Sequence, residues 1–189
     1  RFTDMLSYPM NTSGQGARIN MDGIDSFGFY LAPPTRAPDF DEVEAERPII
    51  HLFAKQLKDS CGFGKYRSGV GTVQAFTVHE VPQLVYTTTG RESRIHNSVG
   101  LFGGYPAGAK FGLEVRNSDI WEQMRRGEKN IPSDYRELLT KRGIKGEYRF
   151  EPNMRASRFV NKGDIWCNMV GGTGGYGDVL EREPDAVMR

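Results

Sequence analysis

The amino-acid sequence predicts an α+β fold, a mainly β lobe with long loops and a small helical insertion at about residues 118–143. Three observations carry that expectation. Runs rich in β-branched and aromatic residues recur ("TVQAFTVHEV", "QLVYTTTG", "FGLEVR", "GEYRFEP", "SRFVNKGDIWCNMV"), bounded by Gly and Pro. Two short stretches with helical spacing and capping residues lie together between two of those runs. No repeat with a period of about 20 to 50 residues and no low-complexity tract points to a solenoid or a linker. A chain of 189 residues is long enough to bury a core as one domain.

Residues 1–47 read as irregular loops, since Gly, Pro, Asp and Asn mix there with few periodic apolar positions, and such loops need a scaffold. Residues 48–117 read as β-rich. Their opening, "PIIHLFAKQL", leaves two alternatives open: Ile49, Leu52, Phe53 and Leu57 fit a helix with Pro48 in its first turn, whereas Ile50, Leu52 and Ala54 fit an alternating strand. "TVQAFTVHEV" and "QLVYTTTG" read as a pair of strands separated at Pro82 and ended by Gly90, and "FGLEVR" as a further strand. In the insertion, one helix starts with Ser118 as N-cap, with Ile120, Trp121 and Met124 on one side. The second is capped by Ser133, carries Tyr135, Leu138 and Leu139 on one face, and stops at Gly143. Residues 144–189 form a β-rich closing segment and the start of a helix at Pro184. The chain opens at Arg1 without Met and stops at Arg189 just past that start, so it is expected to be a piece of a longer polypeptide.

Charge and composition narrow the partners. Lys plus Arg (25) nearly cancels Asp plus Glu (24), so no overall field favours nucleic acid or an anionic membrane, and binding is expected to be local. Cys61 and Cys167 form no CxxC pair, and His51, His79 and His96 show no HxxxH or HxH spacing, so no metal site is expected inside the chain. No run of about 20 apolar residues and no signal pattern occurs, which predicts a cytoplasmic protein.

The glycine clusters are the unusual feature. "CGFGKYRSGVG" resembles a phosphate cradle only in composition: Gly64-Lys65 is followed by Tyr66 where a P-loop needs Ser or Thr, and Asp59 stands where its first Gly belongs. The dinucleotide fingerprint fails too, with Arg67 in place of the third Gly and a strand following. Two readings remain: a turn-rich entry into a sheet, or a backbone surface that touches a ligand or partner. Lys65 and Arg67 are candidate contacts for a phosphate or carboxylate, or else solvated cations. His79 in a strand and His96 in the "RIHNS" loop are candidate substrate contacts, or structural hydrogen-bonders. Asp178, in "GGTGGYGDVLEREPDAV", is a candidate ligand contact or an acid that bonds backbone N–H groups in its turn. No base is identifiable beside Cys61, and Cys167 beside Trp166 reads as core.

"KDSCGFGKYRSGVG", "GLFGGYPAG" and "NKGDIWCNMVGGTGGYGDVLEREPDAV", in that order, resemble the C-terminal part of the hydantoinase B / oxoprolinase family. "GQGARINMDGIDS" and "EVEAERPI" extend the resemblance over essentially the whole chain. Tyr105 and Ala107 in "GGYPAG" and the insertion at 118–143 lean toward the hydantoinase-B-like subunits of acetone and acetophenone carboxylases. The resemblance implies part of a multi-subunit, ATP-dependent ketone carboxylase that makes a β-keto acid from a small ketone and bicarbonate. It also implies a hydantoinase-A-like ATPase subunit and the rest of the hydantoinase-B-like subunit as partners, with ATP and a divalent metal (Mg or Mn) bound mostly outside this chain. The alternatives are an oxoprolinase or hydantoinase that opens a lactam ring, and an assembly module without catalytic residues.

Overall fold

A computed structural model gives the fold and describes residues 2–4, 12–28, 39–89, 98–108, 111–140, 143–151 and 155–187. In chain order the elements are β1 (Phe2–Asp4), α1 (Phe40–Glu46), β2 (Ile49–Gln56), β3 (Thr72–Val78), β4 (Gln83–Thr89), β5 (Gly112–Arg116), α2 (Ile120–Arg125), α3 (Tyr135–Thr140), β6 (Glu147–Glu151), β7 (Arg155–Asn161), β8 (Ile165–Val170), a 3-10 turn (Val179–Glu181) and α4 (Pro184–Val187). The α+β expectation, mainly β with few short helices, is met. "PIIHLFAKQL" is strand β2, and a helix, α1, stands in the segment read as loops. Its start is local chemistry: the Asp39 side chain accepts from Asp41 N, Asp41 and Glu42 sit in the first turn, and Val43 alone is buried.

The strands make two sheets. One has five antiparallel strands in the order β2-β3-β8-β5-β6; the other has three, β1-β4-β7, with β1 parallel to β4. The two consecutive runs read as a pair, β3 and β4, therefore do not form a hairpin. Glu80 at φ 60° and the turn from Val81 N to His79 O carry the chain from one sheet to the other.

β3 and β8 are buried on both faces, and their alternation sorts side chains into two cores. Val73, Ala75, Ile165, Cys167 and Met169 join Phe53, Leu57, Leu113 and Val115 beneath α2 and α3. Phe76, Val78 and Trp166 face Leu84, Tyr86 and Val160 of the three-stranded sheet, with Val43 of α1 closing one side. The helical insertion is thus the lid of the first core. Ile120 and Leu138 are fully buried there, worth about 2 kcal/mol each, and that burial holds two six-residue helices too short to persist alone.

Their caps lie one residue later than the sequence suggests. Asp119 is the N-cap of α2, with Ser118 Oγ accepting weakly from Ile120 N at 3.4 Å. At α3 the Asp134 side chain accepts from Arg136 N at 2.7 Å, while Ser133 N and Oγ donate to Glu137.

Candidate functional site

At one end of the five-stranded sheet four separate segments, 12–28, 60–71, 98–105 and 171–182, meet backbone to backbone. Tyr66 and Tyr176 exchange N–H···O bonds of 2.9 and 3.0 Å, Leu101 N donates to Gly175 O and Gly177 N to Leu101 O, and Tyr105 N donates to Phe63 O at 2.7 Å. Gly23 N donates to Arg67 O, Gly69 N to Gln15 O, and Gly172 N to Ser60 O. The glycines are required by this crowding. A Cβ on Gly62 would run into the carbonyl oxygens of Thr173 and Tyr105 and lie 2.6 Å from Gly175 N. Conformation matters at Gly177, whose φ is +76°; Gly174 and Gly175 show no positive φ and are excluded from bearing side chains by the backbone against them.

Two serines staple the junction from inside. Ser68 Oγ accepts from Gly62 N at 2.8 Å and from Thr173 N at 3.2 Å, and Ser60 Oγ accepts from Gly71 N at 3.0 Å. Around the rim runs a charge network. Arg182 Nη1 and Nη2 donate to the two carboxylate oxygens of Asp22 at 2.8 and 2.7 Å, a bidentate pair spanning 160 residues of sequence. Arg67 Nη1 donates to Asp25 Oδ1 at 2.8 Å; Asp22 and Asp25 also accept from Arg67 N and Val70 N. The Arg182 hydrogen bond holds the Asp22 carboxyl below its ordinary range, the Arg67 hydrogen bond does the same for Asp25, and both arginines are held more firmly protonated. Burial pushes the Cys61 thiol up, against a smaller opposing pull from Arg67, so it is not an activated nucleophile.

Of the sequence-predicted residues, Lys65, Arg67 and Asp178 lie at the junction, each engaged by a partner within the chain, and His79 lies away from it. Lys65 Nζ lies 3.1 Å from Glu181, and Arg67 is held by Asp25. Asp178 accepts from Leu180 N at 2.9 Å and so caps the 3-10 turn, the structural alternative for that acid. His79 sits at the far end of β3, its ring 5.2 Å from that of Trp121 and its Nδ1 3.7 Å from Glu80. His96 lies outside the described residues. Asp22, Asp25, Arg182, Ser60 and Ser68 were missed as a set. The "MDGIDS" step and the Arg of "LEREP" are visible in sequence, but nothing local says that they meet.

What the arrangement does is immobilise. Many of its N–H groups donate to cross-segment carbonyls or to the two serine hydroxyls, and Lys65, Arg67 and Arg182 each face a carboxylate. Among the described residues no group of three or more His, Cys, Asp and Glu is placed to hold a metal, and Asp22 and Asp25 would have to give up arginine to bind one. Beside the junction the chain exposes Phe63, Val99, Leu101, Phe102, Tyr105 and Leu180. No described helix is long and apolar enough to cross a membrane.

Comparisons with known proteins agree with one another. The chain is 42% identical over 188 residues to the acetophenone carboxylase delta subunit of Aromatoleum aromaticum, covering 98% of this chain and 27% of that protein. It is 26% identical over 190 residues to the acetone carboxylase alpha subunit of Xanthobacter autotrophicus, covering 96% of this chain and 24% of that one. The chain therefore spans about a quarter of the length of these relatives. Its fold is that of a segment of nucleotide-free acetone carboxylase, at a TM-score of 0.76, 23% identity, 93% of this chain and 24% of the other. A looser likeness, TM-score 0.58 at 19% identity, links it to the ATP-dependent caprolactamase of Pseudomonas jessenii, over 93% of this chain and 26% of that one. The sequence profile of hydantoinase B/oxoprolinase matches residues 3–179, and the chain belongs to that family.

Proposed function

We infer that the chain is a lobe of the hydantoinase-B-like subunit of an ATP-dependent ketone carboxylase, which forms a β-keto acid from a ketone and bicarbonate. The observation that carries the reading is the 42% identity to the acetophenone carboxylase delta subunit across 98% of the chain. The chemistry has a physical logic. A ketone α-carbon is a poor acid and bicarbonate a poor electrophile, so each needs activation by ATP before the carbon–carbon bond forms. ATP and a divalent metal (Mg or Mn) belong, in this reading, to a hydantoinase-A-like ATPase subunit and to the remainder of the hydantoinase-B-like subunit.

The lobe's own part is to form a rigid wall. Four segments locked by glycine contacts and the Asp22–Arg182 and Asp25–Arg67 pairs give a surface that does not yield when the rest of the subunit packs on it. The apolar residues beside the junction, Phe102 and Leu180 the most exposed among them, suit that contact. On this reading isolated residues 1–189 should be inactive.

The native complex tests the reading. ATP hydrolysis should rise with acetophenone or acetone, and labelled bicarbonate should appear in a β-keto acid. Hydrolysis driven by a lactam or hydantoin, with no bicarbonate incorporated, would overturn it in favour of ring opening. Ketone-dependent fixation by the isolated 189-residue lobe would overturn the assignment of a supporting role.

A further inference from the structure

Between the two sheets, one row from the glycine junction, lies a cluster of buried polar atoms that the carboxylase reading does not use. Three adjacent strands of the five-stranded sheet bring them together. Gln74 on β3 pairs with Asn168 on β8, which pairs with Gly112 on β5; in the next row Phe76 pairs with Trp166, which pairs with Glu114. Partners in register share a face, and residues two apart on a strand do so as well, so Gln74, Asn168, Trp166 and Glu114 all point toward the three-stranded sheet. Gln74 and Asn168 are 3% exposed, Glu114 6% and Trp166 0%. Yet Gln74 Oε1, Asn168 Oδ1, Glu114 Oε1 and Trp166 Nε1 have no hydrogen-bond partner among the described residues. Buried polar atoms in native proteins are almost always satisfied, and four on one patch of sheet is not a scatter of isolated exceptions.

Small residues and paired charges surround the row. The row is bordered by small residues, Ala54 opposite Gln74 and Gly112 opposite Asn168. Arg158 of β7 covers the opposite side, its guanidinium 4.5 Å from the centre of the Trp166 ring and its Nη1 donating to Thr88 Oγ1 at 3.0 Å. Among the described residues Arg158 pairs with Glu151 at 3.4 Å, Arg116 with Glu114 Oε2 at 2.9 Å and Arg149 with Glu147 at 2.7 Å. These paired charges favour an uncharged ligand over an ion. The unmet atoms are three acceptor oxygens and one N–H donor.

We propose that the buried patch formed by Gln74, Glu114, Trp166 and Asn168 is a built site for uncharged hydroxyl ligands, ordered waters or a small hydroxyl compound, whose O–H groups together donate to the three oxygens while one of their oxygens accepts from the Trp166 indole. Ordered waters meet that description, since an internal water takes about three bonds to groups of this kind; a small hydroxyl compound meets it in their place. The site is independent of the identity of the carboxylase substrate.

The test is a crystal structure of the intact protein at a resolution that shows ordered water, without and with ethylene glycol as probe. Oxygen density bridging Trp166 Nε1 to at least two of the three acceptors is the expected result. Waters in both crystals make it a hydration site; glycol in their place makes it a ligand site, and either upholds the proposal. A dry space, or side chains turned to bond one another, overturns it. The Gln74→Leu/Asn168→Leu double variant should lose that density while Trp166 stays in place. Unchanged density in the variant refutes the role of these amides, and if the variant does not fold the wild-type crystals still decide.

Discussion

Replacing Asp22 with Ala measures how firmly the glycine junction is tied to the closing segment. Arg182 is only 10% exposed and makes two bonds to Asp22, itself 35% exposed, so the pair stands between a surface ion pair and a buried one. Surface pairs are worth about 0–1 kcal/mol, while stranding one member of a buried pair costs about 3–5 kcal/mol. Asp22→Ala leaves the Arg182 guanidinium with the carbonyls of Lys65 and Ala186 at 3.0 and 3.2 Å, and strips the acceptor from Arg67 N. We expect a loss of about 3 kcal/mol, which for a chain of this size lowers Tm by roughly 6–12 °C. Arg182→Met, which keeps the aliphatic stem, should cost about 2 kcal/mol, because Asp22 retains Arg67 N and can draw water. In a double-mutant cycle followed by urea unfolding, the two changes should couple by about 2 kcal/mol. Coupling below about 0.5 kcal/mol would refute the view that this pair locks segments 12–28 and 171–182 together.

Stability should fall with acid in two windows. His51 donates from Nδ1 to Glu44 but is held by burial below its ordinary value of 6.5, so its contribution is present above that value and is lost as pH falls through its folded pKa; His51→Gln should remove this phase from a urea series. Asp22 and Asp25, depressed below 3.8, contribute above that value and are lost as pH falls further, so a profile flat down to pH 3 would contradict their pairing. Gly177→Val should cost about 2 kcal/mol, since φ is +76° and the new Cβ would lie 2.9 Å from Lys65 Cβ, whereas Gly108→Ala, with nothing within 4 Å, should melt like the parent; equal melting of both would show that the turn tolerates side chains. Neither Cys61 nor Cys167 should react with a thiol reagent near neutral pH until the protein is denatured, because burial raises both thiols; titration of either in the native state would place it at the surface.

Local chemistry settled much of this protein from sequence alone. The β-branched runs are strands, Ile120, Trp121, Met124, Leu138 and Leu139 do form the apolar face of the helical insertion, Cys167 is core, and Asp178 caps its turn. The order of the glycine motifs was enough to indicate the family. Each of these depends on residues a few positions apart, where propensity, capping and periodicity act. The tertiary structure alone decided which strands pair. β3 is buried on both faces, so its sequence carries no alternation to say which neighbour lies on which side, and β3 and β4, adjacent in the chain, part into different sheets. It alone decided that Lys65 and Arg67 are answered by Glu181 and Asp25, and that Arg182 meets Asp22 from 160 residues away. A charge in a sequence has no visible partner, because an ion pair or a glycine's close contact is made across space by segments whose separation along the chain encodes nothing about their distance in the fold.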